Sequence, residues 1–200
     1  MGITVKDFQS LFNDIADQMA AERDNLCALD GAIGDADHGI AMEQGMKAAA
    51  KAANEVDDVN MQELFNAAAI GFLNAVGASS GPLYATAFMR AGKFTGPVTC
   101  IPPDDLRHVI VAMADGIQHR GKAEPGQKTM LDAWRPAAET AANGGPSSEI
   151  VSAAKAGAEA TRDMIATLGR AARLGKRSIG HPDPGAVSSV FIISKICERF

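Results

Sequence analysis

The sequence is poor in aromatic residues, in cysteine and in positive charge, and each shortage excludes a class of protein. Phe, Trp and Tyr make up 5% of the 200 residues, and the three cysteines stand far apart without a Cys-x-x-Cys spacing. This pattern argues against a disulfide framework and a zinc knuckle, and it favours a reducing compartment. The formal net charge of −5 makes nucleic acid and anionic membranes poor partners, because both attract positively charged surfaces.

Long hydrophobic runs are also missing. The longest apolar stretch, around residues 67–76, is interrupted by Asn74 and is shorter than the ~20 residues that a membrane-spanning helix needs. The first residues, MGITVKDFQSLF, lack the apolar segment of a secretory signal. We therefore expect a cytoplasmic protein with a single domain, residues 1–200, whose 46% apolar residues build one core.

What the sequence does contain is helical periodicity. Apolar residues spaced three or four positions apart predict eight helices, and no clear alternation of apolar and polar residues predicts a strand. The alanine-rich helices are suited to close packing, so the predicted fold class is all-α, an antiparallel bundle. The predicted helices cover residues 5–28, 38–54, 61–76, 80–94, 106–117, 128–142, 150–168 and 186–199, and VFII at 190–193 belongs to the last of them.

The loops of such a bundle alternate between its two ends. The loops after the first, third, fifth and seventh helices therefore share one end, and they hold the chemically rich stretches GAIGDAD, GASSGP, RGKAEPGQKT and RSIGHPDPG. The even-numbered loops, NEVDDVN, GKFTGPVTCIPP and NGGPSSE, are typical of plain connectors. This segregation predicts a single site at one end of the bundle.

Three aspartates crowd the first of these loops. Asp30, Asp35 and Asp37 offer the carboxylate oxygens that hard cations prefer, and the spacing does not match an EF-hand. Short acidic ligands beside a helix start are suited to Mg²⁺ that also binds phosphate oxygens. The alternative is that Asp35 or Asp37 merely caps the helix that begins near His38.

The other odd-numbered loops carry groups that favour anions. Ser79 and Ser80 precede a helix, where hydroxyls and unpaired amides can bind phosphate, although a simple cap explains them equally well. GKAEPGQKT resembles the Walker pattern, but it has one residue too many and follows a helix, so we reject a P-loop and expect Gly121 and Lys128–Thr129 to face phosphates.

Arg177, in the fourth odd-numbered loop, can pair with a phosphate or a carboxylate. We interpret the basic run around it, residues 170–177, as a local anion contact or a solvated face. A zinc site using His38 and His181 is disfavoured, because neither histidine has a partner at metal-binding spacing.

Four blocks in this order resemble the L subunit, the nucleotide-binding subunit, of dihydroxyacetone kinase. They are D-x3-GDADHG-x5-G, ASSGPL, GQKTMLDA and LGKRSIGHPDPGA-x-S, and together they span nearly the whole chain. The resemblance implies an eight-helix antiparallel barrel with the nucleotide in the loops at one end. It also implies a phosphotransferase that is inactive without a separate K subunit, which carries the ketose covalently on a histidine.

The resemblance further implies a set of ligand contacts. Asp30, Asp35 and Asp37 would hold two Mg²⁺ ions that bridge the phosphates of ADP or ATP. The remaining contacts would be His38, Gly39, Ser79, Ser80 and Gly121 along the phosphates and ribose, Leu83 and Met130 on the adenine, and Thr129, Arg177, Asp183 and Gly185 closing the pocket. In one branch of the family a phosphocarrier protein of the phosphotransferase system recharges bound ADP, and in the other ATP exchanges freely.

Two departures from the family pattern leave alternatives open. Ala36 replaces a glycine, so the loop is expected to be constrained, and Gln127 replaces an aspartate that is common near the transferred phosphate. The substrate is therefore dihydroxyacetone or a related, longer ketose. Two other readings are an ADP-loaded interaction protein that signals substrate status to a regulator and an Asp/His metal hydrolase that needs no nucleotide.

Overall fold

Helices build almost all of the architecture. The structure is a computed structural model that describes residues 2–56 and 60–199, so the predicted connector at 54–60 lies partly outside the described residues. Within those ranges it contains nine α-helices: α1 (Val5–Ala21), α2 (Arg23–Ile33), α3 (His38–Asn54), α4 (Met61–Ala75), α5 (Ser80–Thr95), α6 (Asp105–Gly121), α7 (Leu131–Ala142), α8 (Ser147–Ala160) and α9 (Pro184–Cys197). Two short strands, β1 (Ile3–Thr4) and β2 (Cys100–Ile101), pair antiparallel, and their two-residue length explains why no alternating pattern announces them.

Eight of the helices close into a ring. Each packs on the next in the order α1, α3, α4, α5, α6, α7, α8 and α9, and α9 packs back on α1. The short helix α2 lies outside this ring, against α3 and α9. The predicted all-α, eight-helix antiparallel barrel is thus confirmed, and VFII lies in α9 as expected. Among the described residues, no helix is long and apolar enough to span a membrane.

The ring encloses an apolar core that runs between its helices. Its aromatic centre consists of Phe8 and Phe12 of α1, Phe65 of α4 and Phe88 of α5, all buried. The rings of Phe8 and Phe65 meet edge to face with centroids 5.0 Å apart, and those of Phe12 and Phe88 with centroids 5.2 Å apart. Such pairs add roughly 0.5–1.5 kcal/mol each beyond the burial of their surface.

Two predicted helices are shorter than their apolar periodicity suggested. The first, residues 5–28, is divided at Glu22 into α1 and α2, because α2 leaves the ring and buries only Leu26 and Ile33. The seventh, residues 150–168, ends at Ala160 and continues as a single 3₁₀ turn, Thr161–Asp163. At this turn the ammonium of Lys128 binds the carbonyl oxygens of Thr161 and Met164.

Helix starts differ in whether a side chain caps them. At the end remote from the odd-numbered loops, α1 and α4 begin with complete capping boxes, Thr4 with Asp7 and Asn60 with Glu63. At the other end α5 begins after Ser79, which makes no side-chain capping hydrogen bond. Amides without an intrahelical partner therefore face the loop end of α5, where an anion can use them.

Candidate functional site

A cavity of about 780 Å³ opens at one end of the barrel. Four stretches of chain line it, within residues 30–41, 77–83, 117–131 and 168–185, and these include residues of all four odd-numbered loops. Its volume lies within the ~300–1,000 Å³ that is typical of small-molecule sites. The loop alternation expected from the sequence has therefore brought the four loaded stretches to one place.

The acidic cluster stands on one wall of this cavity. One carboxylate oxygen each from Asp30, Asp35 and Asp37 lies within 4.8 Å of the others. Asp30, in the last turn of α2, accepts hydrogen bonds from the amides of Asp37 at 3.0 Å and His38 at 3.2 Å. Asp37 itself makes no side-chain capping bond to α3, so the capping alternative does not account for its carboxylate.

The charges within the cluster are incompletely balanced by protein groups. Burial, together with the neighbouring charges of Asp35 and Asp30, raises the pKa of Asp37 above its ordinary value, while Arg170 opposes that shift. Three converging carboxylates that repel one another form a donor set suited to a hard divalent cation. The residues present therefore fit Mg²⁺ as the family implies it.

The backbone between Asp35 and Asp37 is strained at Ala36. Ala36 has φ +63°, in the left-handed region that residues with a Cβ atom rarely adopt. The constraint expected from an alanine at this glycine position is thus present. It turns the chain sharply enough for Asp35 and Asp37, two positions apart, to approach Asp30 together.

His38 begins α3 beside the cluster. Its Nε2 atom lies 2.9 Å from Oγ of Ser188 on α9, and burial lowers its pKa below the ordinary value. The ring is therefore neutral at physiological pH. Gly39 follows it and does not line the cavity. A Cβ atom at that position would collide with the backbone of Arg23 in α2, so only glycine allows α3 to pack this closely on α2. Gly39 serves helix packing.

The start of α5 and the end of α6 also contribute to the cavity. Ser79, Ser80 and Leu83 line the cavity, as does Gly121 at the end of α6. Since α5 lacks a side-chain cap, this start combines hydroxyls, a positive helix end and a glycine-flanked approach.

Lys128, Thr129 and Met130, in the segment before α7, all line the cavity as predicted. The ammonium of Lys128 is nonetheless engaged by the protein, so its contact with phosphate remains a prediction. Lys128 is 1% exposed, and its Nζ atom donates hydrogen bonds to backbone carbonyl groups of the chain between α8 and α9. Gln127 also turns away, since its Oε1 atom accepts a hydrogen bond from the amide of Glu124 at 2.8 Å.

The start of α9 completes the floor of the cavity. Asp183 caps this helix by accepting a hydrogen bond from the amide of Ala186 at 2.7 Å, and Gly185 lines the cavity beside it. Burial, with a smaller contribution from the charge of Asp132, raises the pKa of Asp183 to about 7. Near physiological pH the carboxyl group of Asp183, beside the acidic cluster, is therefore partly protonated.

Arginine enters the site at positions that the sequence did not single out. Arg120, Arg170 and Arg173 line the cavity, whereas Arg177 is exposed and lies outside its lining. The basic run at 170–177 was the available signal, and the local anion contact predicted for it remains a prediction. Turns of 3₁₀ type with a left-handed Gly175 between them decide which arginines point inwards.

Comparisons with known proteins identify relatives of this chain. A family model described as the DAK2 domain matches residues 32–198. The ADP-binding subunit DhaL of PEP-dependent dihydroxyacetone kinase 1 from Listeria innocua is 40% identical over 93% of this chain and 92% of its own length. The ADP-binding subunit DhaL of the PEP-dependent enzyme from Escherichia coli is 36% identical over 90% of each chain.

A solved structure shares the fold. The dihydroxyacetone kinase from C. freundii, in complex with AMP-PNP and Mg²⁺, superimposes with a TM-score of 0.71 at 24% identity. The match covers 95% of this chain but 33% of that longer chain. The resemblance seen in the sequence blocks is confirmed by these matches, and the chain belongs to the DAK2 domain family.

Proposed function

We propose that this chain is the ADP-binding subunit of a dihydroxyacetone kinase and that it presents a phosphoryl group to a ketose on a separate K subunit. The observation that carries the proposal is one cavity that unites a three-aspartate cluster, an uncapped helix start and inward-facing arginines. A divalent cation needs the carboxylates, a polyphosphate needs the helix start and the arginines, and a complex of the two needs both kinds of group side by side. Phosphoryl transfer depends chiefly on such positioning and charge neutralisation.

Each wall of the cavity has a place in this proposal. Asp30, Asp35 and Asp37 hold Mg²⁺, and we propose two ions, which neutralise phosphate charge when bound. The serines at the start of α5 donate hydrogen bonds to phosphate oxygens. His38, Gly121 and Thr129 line the path to the ribose. Leu83 and Met130, which face the cavity from α5 and from the turn before α7, offer apolar surface to the adenine.

The names of the relatives support one proposal for the donor of the phosphoryl group. Proteins that this chain matches over nine-tenths of both lengths are named ADP-binding subunits of PEP-dependent kinases. We therefore propose that ADP stays bound and that a phosphocarrier protein recharges it. The half-buried Gln127 side chain does not line the cavity, so the exchange of aspartate for glutamine at this position leaves the cavity lining unchanged.

Two measurements on the purified protein test the proposal. Acid release identifies the bound nucleotide, and exchange against labelled ATP in the presence of Mg²⁺ gives its residence time. We expect ADP that exchanges slowly. Mixing with a K subunit, a phosphocarrier system and a panel of ketoses should then yield phosphorylated dihydroxyacetone, and Asp35→Asn should abolish the product while leaving the helices intact.

The alternatives predict different results. Rapid exchange of ATP would move the chain to the ATP-dependent branch, and a preference for a four-carbon ketose would change the substrate. Binding to the K subunit or to a regulator without product would favour the interaction protein. Turnover of a phosphate ester without nucleotide would favour a metal hydrolase, and failure to bind any nucleotide would refute the proposal.

A further inference from the structure

Lys128 is the most deeply buried cation among the described residues and has an unusual set of partners. Its Nζ atom donates to the carbonyl oxygens of Thr161 at 2.8 Å, Ser178 at 2.7 Å and His181 at 2.6 Å, with Met164 at 3.3 Å. All four are neutral backbone groups. An ammonium ringed by carbonyl oxygens is the arrangement in which proteins also hold monovalent cations.

These carbonyl groups belong to the two ends of one segment, residues 161–183, hereafter the arginine loop. The ends are joined further by the amide of Asp183, which donates to Oγ1 of Thr161 at 2.8 Å, and by the amide of Ala166, which donates to Oγ of Ser178 at 2.9 Å. Between the joined ends the loop reaches over the cavity, where Arg170 and Arg173 line it.

Lys128 is itself held firmly from the opposite side. The buried carboxylate of Asp132 accepts hydrogen bonds from the amides of Gly126 at 2.5 Å and Thr129 at 2.8 Å, which anchors the turn to α7. Lys128 adopts φ +60° within this turn. Such strain persists only where surrounding contacts impose it, and it commonly marks a functional position.

The joined ends of the arginine loop form its neck. Single hydrogen bonds also join it, such as that from the amide of Gly180 to the carbonyl of Arg162 at 2.8 Å, whereas the ammonium of Lys128 binds four carbonyl groups from both ends.

Removing the ammonium takes a donor from four carbonyl groups, of which that of Thr161 still accepts a hydrogen bond from the amide of Met164 at 3.2 Å. Each buried carbonyl group left unsatisfied destabilises the closed neck. The loop offers little apolar surface to hold the neck shut, since Ile165, Leu168 and Ile179 are exposed. Opening of the neck would carry the two cavity-lining arginines away from the site.

We propose that Lys128 is a positioning residue, a tethered monovalent cation that closes the neck of the arginine loop and so places Arg170 and Arg173 over the phosphates. The loop arrangement is a property of the free chain, whereas the effect on phosphates rests on the proposed nucleotide site. An ammonium ion from solution should be able to take the place of the missing side-chain group when the stem is also removed.

The test on the free chain uses two variants. Lys128→Ala empties the cation position, and Lys128→Met fills the stem with apolar volume but removes the charge. Trypsin fragments read by mass spectrometry report cleavage at the arginines of the loop. We expect cleavage there to accelerate roughly tenfold or more in both variants as the neck opens. Ammonium chloride should restore protection in Lys128→Ala and not in Lys128→Met, with sodium chloride as the salt control.

A second measurement connects the loop to the ligand. Magnesium ADP should bind roughly tenfold or more weakly to Lys128→Met, while adenosine, which has no phosphate for the arginines to meet, should compete equally well in variant and parent. Lys155→Met, at an exposed position on α8, is the matched control and should change neither result.

The outcomes separate the two proposals. If the parent protein binds no magnesium ADP, the nucleotide site is wrong, and the trypsin experiment still decides the role of Lys128. If the loop of Lys128→Met stays protected, or if Lys128→Ala responds equally to sodium and ammonium, the tethered-cation proposal is overturned. Equal weakening of ADP and adenosine would reduce Lys128 to a general structural residue and also overturn it.

Discussion

The guanidinium of Arg170 forms an ion pair with the carboxylate of Asp35 at the mouth of the cavity. This contact joins the arginine loop to the acidic cluster, and it uses a carboxylate oxygen that a divalent cation would need. The Arg170 side chain is 64% exposed, and exposed ion pairs contribute at most about 1 kcal/mol. A bound cation can therefore displace the arginine, which is then available to phosphate.

Replacing Arg170 should have opposite effects on the two ligands. Arg170→Gln removes a competitor for Asp35, so Mn²⁺ should bind the nucleotide-free chain several-fold more tightly, in line with the energy of an exposed pair. The same variant should bind ADP roughly tenfold more weakly, because a charge-assisted contact to phosphate is lost. Calorimetric titration with each ligand measures both effects.

Lys176→Gln is the control for this prediction, since Lys176 lies on the same loop but outside the cavity lining. It should leave both affinities unchanged. If Arg170→Gln instead lowered the affinity for both the cation and the nucleotide, Arg170 would not move from the Asp35 carboxylate to phosphate.

Neutralising Asp37 should separate cation binding from folding. Because burial and two neighbouring carboxylates disfavour its charge, Asp37→Asn should stabilise the cation-free chain slightly, by less than about 1 kcal/mol. Its Mg²⁺ affinity should fall by more than the roughly 10–100-fold that follows loss of an outer-sphere partner. Urea unfolding with a chelator and with Mg²⁺ gives both quantities, and Asp17→Asn on α1 should alter neither. Unchanged Mg²⁺ affinity would remove Asp37 from the cation site.

The strain at Ala36 should be measurable as stability. Ala36→Gly relieves the left-handed backbone and should stabilise the chain by about 1 kcal/mol, after allowance for the greater freedom of glycine in the unfolded state. Ala28→Gly, at an exposed position inside α2, should destabilise it by roughly 0.5–1 kcal/mol. Denaturant unfolding of both variants checks the opposite signs, and equal signs would show that Ala36 is not strained in solution.

Asp183 should make stability depend on pH in a defined direction. Its pKa is about 7 in the folded chain against an ordinary value of 3.8, so the folded state retains a proton that the unfolded state has released between these values. Stability should therefore fall as pH rises through that window, by at most about 1.4 kcal/mol per pH unit.

Asp183→Asn keeps a residue that can cap α9 and removes this titration. Its stability relative to the parent should therefore rise between about pH 5 and about pH 8, measured by urea unfolding in the presence of a chelator. A difference between the two proteins that does not change with pH would show that Asp183 keeps an ordinary pKa.

The resemblance to a known family supplied the closed barrel and most of the individual site residues, and all the predicted site residues except Gly39 and Arg177 line the cavity. Local patterns by themselves supplied the antiparallel helices and the shared end of the odd-numbered loops. These features are readable because the period of a helix is local and because antiparallel neighbours force alternate loops together. The acidic cluster was equally readable, since its three members lie within eight positions.

Tertiary structure alone decided the rest. Lys128 looked like a phosphate ligand in sequence, yet its ammonium is bound by carbonyl groups that lie 33 to 53 residues further along the chain. The basic run folds so that Arg170 and Arg173, not Arg177, line the cavity. Where a flexible charged side chain points depends on which distant backbone groups are left without partners, and no local pattern records that.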